Sequence, residues 1–172
     1  DQVILTGFYP RIHDRNIRPL PWIANYTETY LERDVRQLKN IGDLANFERF
    51  LRLCAARCGQ LVNLTEIGNA CGINHNTAKA WLSVLEASFI IHTLKPHHAN
   101  FSKRLVKSPK VYFYDTALLC FLLGIEDTKT LAMHPMKGPL FESFVIAELI
   151  KSYFNKGLKP PLYFWRDKTG IE

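Results

Sequence analysis

Asn63-Leu64-Thr65-Glu66-Ile67-Gly68-Asn69-Ala70-Cys71-Gly72-Ile73-Asn74-His75-Asn76-Thr77-Ala78-Lys79-Ala80-Trp81-Leu82-Ser83-Val84-Leu85-Glu86-Ala87-Ser88-Phe89-Ile90-Ile91-His92-Thr93-Leu94 reads as two short helices, a tight turn and a departing strand. Asn63 suits the cap of the first helix, with Glu66 three residues on as its capping-box partner. Small Ala70 and the turn at Gly72 let a second helix approach closely at a steep angle. Asn74 is a suitable cap for that second helix. Ala78, Trp81 or Leu82, and Leu85 recur at helical spacing and are expected to face a core. The β-branched run Phe89-Ile90-Ile91 then leaves as a strand.

Two helices at a steep angle followed by a strand describe a winged helix. Such units bind DNA in many proteins and hold proteins together in others, so fold alone does not choose. After the strand near 89–94 comes the most basic part of the chain. No acidic residue lies between Glu86 and Asp115, whereas Lys95, Lys103, Arg104, Lys107 and Lys110 do, beside His97 and His98. Val111-Tyr112-Phe113-Tyr114 is a strand that can pair back as the wing hairpin. The cations are read as a phosphate-facing surface, against the plainer reading of a solvated loop.

Upstream, Pro10, Pro19 and Pro21 suggest an irregular lead-in over residues 1–21. Trp22 to about Lys39 reads as an amphipathic helix, with Glu32 and Arg36 spaced to pair at i,i+4. Asp43 caps a following helix that turns Phe47, Phe50, Leu51 and Cys54 inward and stops at Gly59. Downstream, Asp115 caps a buried helix over 116–123 that ends at Gly124, and 125–137 reads as a loop between two halves. Pro139 stands near the start of a helix running to Asn155, with Ile146, Leu149, Ile150 and Tyr153 on one face. Glu142 begins that face. It either complements the positive helix N-terminus or is a carboxylate at the mouth of a site. Leu162 to Arg166 alternates as a strand, and Asp167-Lys168-Thr169-Gly170 offers a hairpin turn before Ile171-Glu172.

Composition sets limits on all of this. The 172 residues suit one large or two small domains, and 47% hydrophobic content allows a proper core. No apolar run approaches the ~18 residues of a membrane span. The formal charge of +6 favours an acidic partner. Cys54, Cys58, Cys71 and Cys120 form no C-x-x-C pair, so neither zinc nor a disulfide framework is expected and a reducing cytoplasm fits. The start at Asp1 and the stop at Glu172, where a strand begins, are read as the ends of a fragment. No phosphate-cradling loop, H-E-x-x-H or G-x-S-x-G occurs, so no cofactor is expected in these residues.

Several stretches resemble one family. Tyr30-Leu31-Glu32-Arg33-Asp34-Val35, Thr77-Ala78-Lys79-Ala80-Trp81-Leu82, Lys103-Arg104-Leu105-Val106-Lys107 and Tyr114-Asp115-Thr116 are similar to signatures of prokaryotic AAA+-type ATPases with an uncharacterised C-terminal domain. Gly138-Pro139-Leu140-Phe141-Glu142 and Phe164-Trp165-Arg166-Asp167 extend the similarity over nearly the whole chain. The resemblance implies an N-terminal ATPase core, using ATP and Mg, that lies outside this chain. It also implies a winged helix followed by a restriction-endonuclease-like, PD-(D/E)XK-type domain. There Glu142 matches the helix glutamate, and Gly170 with Glu172 match the approach to the metal-binding aspartate. The aspartate and the Glu-x-Lys pair would lie beyond Glu172, leaving that domain incomplete and catalytically silent.

The expected architecture is therefore mainly α with α+β parts. Residues 1–42 form a lead-in and connecting helix, 43–124 the winged helix, and 125–172 a truncated α/β restriction-endonuclease-like segment. The expected function is a non-catalytic C-terminal part of an AAA+-like ATP-binding protein, serving as a DNA-binding or protein-docking module. The alternatives are part of a metal-dependent nuclease and a stand-alone winged-helix transcriptional regulator. Double-stranded DNA and the protein's own ATPase core are the expected partners, no membrane is, and oligomer formation stays open. His75, Asn76 and Lys79 are the expected base-reading residues. Lys103, Arg104 and Lys107 are the expected phosphate contacts.

Overall fold

A computed structural model describes residues 1–35, 41, 43–97 and 108–166. They are mainly helical with a small antiparallel sheet, the mixture expected from the sequence. The helix-turn-helix stretch is built from its caps. Asn63 accepts from the Glu66 amide at 3.1 Å, opening α5 (Leu64–Cys71). Asn74 accepts from the Thr77 amide at 2.9 Å, opening α6 (His75–Ala87). Gly72 joins them in the left-handed conformation. Each cap satisfies one of the amides that a helix start leaves without a partner. The Glu66 side chain does not reach back to Asn63 as a capping box would; it pairs with Arg57.

α6 buries Ala78, Trp81, Leu82, Val84 and Leu85. Its anchor is Trp81, whose ring meets Phe47 and Phe50 edge-on at 5.2 and 5.6 Å. Both phenylalanines sit on α4 (Leu44–Ala56), which Asp43 caps through the Asn46 amide. Edge-to-face contact brings the positive ring edge to the negative ring face, a preference that fixes angle as well as distance.

Strand β1 spans Ile91–Leu94 and pairs antiparallel with β2 (Lys110–Phe113), Ile91 opposite Phe113 and Leu94 opposite Lys110. The strand begins later than the run Phe89-Ile90-Ile91 suggests. Phe89 takes a left-handed turn at φ 55 and is 64% exposed, so hydrophobicity there marks a turn and not a strand. On the other edge of β2 runs the segment 58–62. Gly59 N–H donates to the Val111 carbonyl at 2.8 Å, and Val62 N–H to that of Pro109 at 2.8 Å. β2 is thus a central strand, and all four of its residues are buried.

The remaining helices close around this sheet. α7 (Thr116–Leu122) is capped by Asp115, which accepts from Ala117 and Leu118 and also from Phe8 N–H at 2.6 Å. That last bond docks the N-terminal segment. Residues 1–21 are correspondingly not irregular. α1 (Gln2–Thr6), α2 (Pro10–Asp14) and α3 (Pro19–Thr29) occupy them, and Pro10 and Pro19 each stand at a first helical position, where the missing N–H costs nothing. α3 continues as a π-helical turn over Tyr30–Val35. The pairing of Glu32 with Arg36 lies outside the described residues, and Arg33 instead pairs with adjacent Asp34.

The stretch 125–137 is no plain loop, since it holds α8 (Thr128–Met133) with its Asp127 cap. α9 (Lys137–Phe154) starts two residues before Pro139. It buries Leu140, Ser143, Ala147 and Ile150, leaving Leu149 on an exposed apolar stripe with Phe141 and Val145. A helix apolar on several sides does not declare its inner face by spacing. The strand expected over 162–166 reduces to a single bridge, Phe164 beside Pro96. The turn at 167–170 lies outside the described residues. Among the described residues no helix is long and apolar enough to cross a membrane.

Ser143 joins α9 to the sheet. Its hydroxyl accepts from Phe113 N–H at 3.0 Å and donates to Phe113 C=O at 3.1 Å, fully buried. Ser143→Ala takes this hydroxyl from both backbone groups, and a buried group that loses its partner costs about 1–3 kcal/mol. Urea unfolding of that variant is expected to show a loss of roughly 2–4 kcal/mol, whereas the same substitution at exposed Ser83 changes stability little.

Candidate functional site

The exposed side of α6 carries His75, Asn76, Lys79 and Ser83. The buried set 78, 81, 82 and 85 pins the opposite side to α4, so these four share one outward face. His75 Nδ1 lies 3.3 Å from the Thr65 hydroxyl, tying the start of α6 to α5. Ser83 donates back to the Lys79 carbonyl at 3.1 Å. Glu86, one turn on, is turned aside by a hydrogen bond from the Thr93 hydroxyl on β1. The only acidic side chain of α6 thereby sits at the strand and away from the helix start.

The start of α6 opens onto a groove of about 520 Å³, lined by Leu61, Asn63, Thr65, His75, Leu82 and Pro109 among others. Ser108 and Pro109 lead into β2 and form the returning arm of the hairpin. The structure therefore brings the helix start and the hairpin base to one side of the molecule, although 34 positions separate His75 from Pro109 in sequence. Lys95 and His97 are exposed on the outgoing arm. Lys103, Arg104 and Lys107 lie outside the described residues, as do His98 and Glu172.

Lys110 departs from the reading of the basic stretch as one phosphate-facing surface. It is only 4% exposed, because β2 is central and not an edge. Its ammonium lies 3.8 Å from Glu142 Oε1 and 5.6 Å from the centre of the Phe164 ring. The same Glu142 oxygen accepts from the Tyr112 hydroxyl at 2.6 Å. Glu142 is thus engaged with β2, across a sequence gap that no local pattern bridges. The contribution of Phe164 is likewise invisible to spacing rules; an aromatic next to a proline-rich turn was the available signal.

No thiol chemistry is set up around this cluster. Burial pushes the Cys58 and Cys120 thiols up to about 12 and raises those of Cys54 and Cys71, disfavouring the thiolate that acts as nucleophile or ligand. Among the described residues no group of three histidine, cysteine or carboxylate side chains is arranged to hold a metal ion.

Comparison with known proteins gives the following. Residues 1–129 match the model of a domain of unknown function (DUF8612), and residues 137–172 match that of a second domain of unknown function (DUF4143). An uncharacterized protein of Mycobacterium tuberculosis is 36% identical over 152 residues, covering 88% of this chain and 33% of that protein. An uncharacterized protein of Mycobacterium bovis shows the same figures, 36% identity over 88% of this chain and 33% of its own length. The chain spans about a third of the length of the curated relatives it matches. No solved structure matches it.

The cap at Asn74 controls how the exposed start of α6 is presented. Asn74→Ala is expected to lower stability by about 1 kcal/mol, and to speed exchange of the Thr77 amide, which Asn74 now holds. Hydrogen exchange followed by NMR, residue by residue, checks both the size and the place of the effect.

Proposed function

This chain belongs to the DUF8612 family, and from that premise we propose that residues 43–124 are a winged helix that binds double-stranded DNA. The observation that carries the proposal is the groove shared by the start of α6 and the base of the β1–β2 hairpin. The order α4, the 58–62 edge, α5, α6, β1, β2 supports this reading, since a winged helix follows the same order. In that arrangement α6 enters the major groove, where Asn76 can pair with adenine and Lys79 with guanine. Lys103, Arg104 and Lys107, between β1 and β2 in sequence, contact the phosphate backbone and supply most of the affinity.

The whole protein, on this reading, is an AAA-type ATP-binding protein whose nucleotide and Mg site lies outside these 172 residues. The second matched domain supports it, since DUF4143 is found in AAA-ATPase-associated proteins. Residues 125–172 then open a second, restriction-endonuclease-like α/β unit, with α9 as its first long helix. The docking alternative draws on one observation: α6 itself exposes a single cation, Lys79, which is few for a helix facing phosphates.

Fluorescence anisotropy with a labelled duplex, titrated at several salt concentrations, separates the two readings. Each phosphate contact contributes about 0.9 to the log–log salt slope. Replacing Lys103, Arg104 and Lys107 together by Ala is expected to flatten the slope by about 2.7 and to weaken binding to any duplex. Asn76→Ala changes the preference among sequences and leaves the slope alone. No binding at low salt, or binding indifferent to the triple substitution, overturns the DNA reading in favour of docking.

A nucleotide phosphate needs a backbone nest and a lysine, and no such loop is encoded here. Titration calorimetry of this chain with Mg-ATP is expected to give no saturable heat. Micromolar binding would place nucleotide recognition inside these residues and overturn that assignment.

A further inference from the structure

We propose that residues 137–166 clasp the base of the β1–β2 hairpin, and that Phe164 is the residue that positions the hairpin against α6. The functional half of this inference rests on the DNA-binding reading above; the clasp rests on contacts alone.

Both arms of the hairpin are held by the same downstream segment. On the outgoing arm, Phe164 N–H donates to the Lys95 carbonyl at 3.1 Å, and His97 N–H donates to the Phe164 carbonyl at 2.6 Å. Pro96 between them has no N–H to offer, which is tolerated because a bridge of this pattern asks nothing of it. The Tyr163 ring meets His97 edge-on at 6.1 Å. On the returning arm, the Phe164 ring faces the Lys110 ammonium at 5.6 Å. One residue therefore grips one arm by its backbone and the other by its ring.

Lys110 makes this grip mutual. A buried ammonium has lost its hydration and needs compensating partners. It finds the face of Phe164, whose negative quadrupole attracts a cation, and the Glu142 carboxylate at 3.8 Å. Glu142 stands on α9, one residue before Ser143, which is bonded to the far end of β2. The chain thus runs from α9 through β2 and Lys110 to Phe164 and on to Lys95 and His97. Each link lies within the described residues.

A surface assembled from a helix and a hairpin binds well only when the two are held in register beforehand, since ordering them on contact is subtracted from affinity. Phe164 supplies that order without carrying charge. Its loss therefore has a signature unlike the loss of a phosphate contact: the dissociation constant rises while the salt slope stays unchanged.

The experiment compares the wild-type chain, Phe164→Ala and Phe164→Tyr by two measurements. Hydrogen exchange of the His97 amide reads the clasp directly, without DNA. Phe164→Ala is expected to quicken it about three- to tenfold, the net worth of one backbone hydrogen bond, and Phe164→Tyr to restore it. Anisotropy with the labelled duplex reads the consequence: weaker binding for Phe164→Ala, an unaltered salt slope, and recovery in Phe164→Tyr. If Phe164→Ala does not fold, Glu142→Gln replaces it, keeping the partner of Tyr112 while removing the charge beside Lys110. Unchanged exchange at His97 overturns the clasp. Quickened exchange with wild-type affinity overturns the positioning role, and leaves the DNA reading intact. A wild-type chain that binds no duplex overturns the DNA reading together with the positioning role, while the exchange result still judges the clasp.

Discussion

The backbone of Phe113 imposes the constraint on which the rest of the molecule depends. β2 has β1 on one side and the short 58–62 segment on the other, but that second partner reaches only as far as Val111. At Phe113 the outward N–H and C=O lie buried past the end of that partner. A hydroxyl is the smallest side-chain group that can donate and accept at one point, and Ser143 brings one there. α9 is therefore a structural requirement of the sheet and not an appendage to it. The consequence crosses the boundary between the two family matches: residues 137–154 complete a strand that belongs to residues 1–129.

Once α9 is fixed, the charges near it are decided too. Lys110 cannot reach solvent from a central strand, so Glu142 and Phe164 become its surroundings. Other cations are committed far more loosely. Arg57 pairs with Glu66 and Arg52 with Glu48, with all four side chains exposed. Exposed pairs of this kind contribute about 0–1 kcal/mol, so a phosphate can compete for them. Lys110 is the clear contrast to them, a buried cation with its partners built around it.

What could be read from the sequence was local. Asp43, Asn63, Asn74 and Asp115 all accept the amide that their spacing foretold, because a cap involves only residues two or three apart. The burial of Ala78, Trp81 and Leu85 followed from helical period in the same way. Prolines 10 and 19 misled because a breaker in the middle of a helix is a good residue at its start. Phe89 misled because a left-handed turn after α6 is set by the chain's need to reverse, which hydrophobicity does not report. For the candidate site the division is sharper. The outward face of α6 was legible, whereas the contacts of Lys110 with Glu142 and Phe164 span 32 and 54 positions. No short-range rule addresses such distances.

The two halves of the candidate interface consequently have separate supports. α6 is oriented by Trp81 wedged between Phe47 and Phe50, an arrangement made wholly within α4 and α6. The hairpin is oriented from the opposite side by α9 and the segment after it. They meet where the Thr93 hydroxyl bonds Glu86 and again at the groove lined by His75 and Pro109. A perturbation of α9 therefore reaches the hairpin arms before it reaches α6, since Trp81 and its partners make no part of that chain of contacts. The helix face would keep its side chains in place while the described ends of the hairpin, at 95–97 and 108–109, changed their angle to them. Contacts that lie outside α6 can in this way shift the hairpin without altering which side chains α6 exposes.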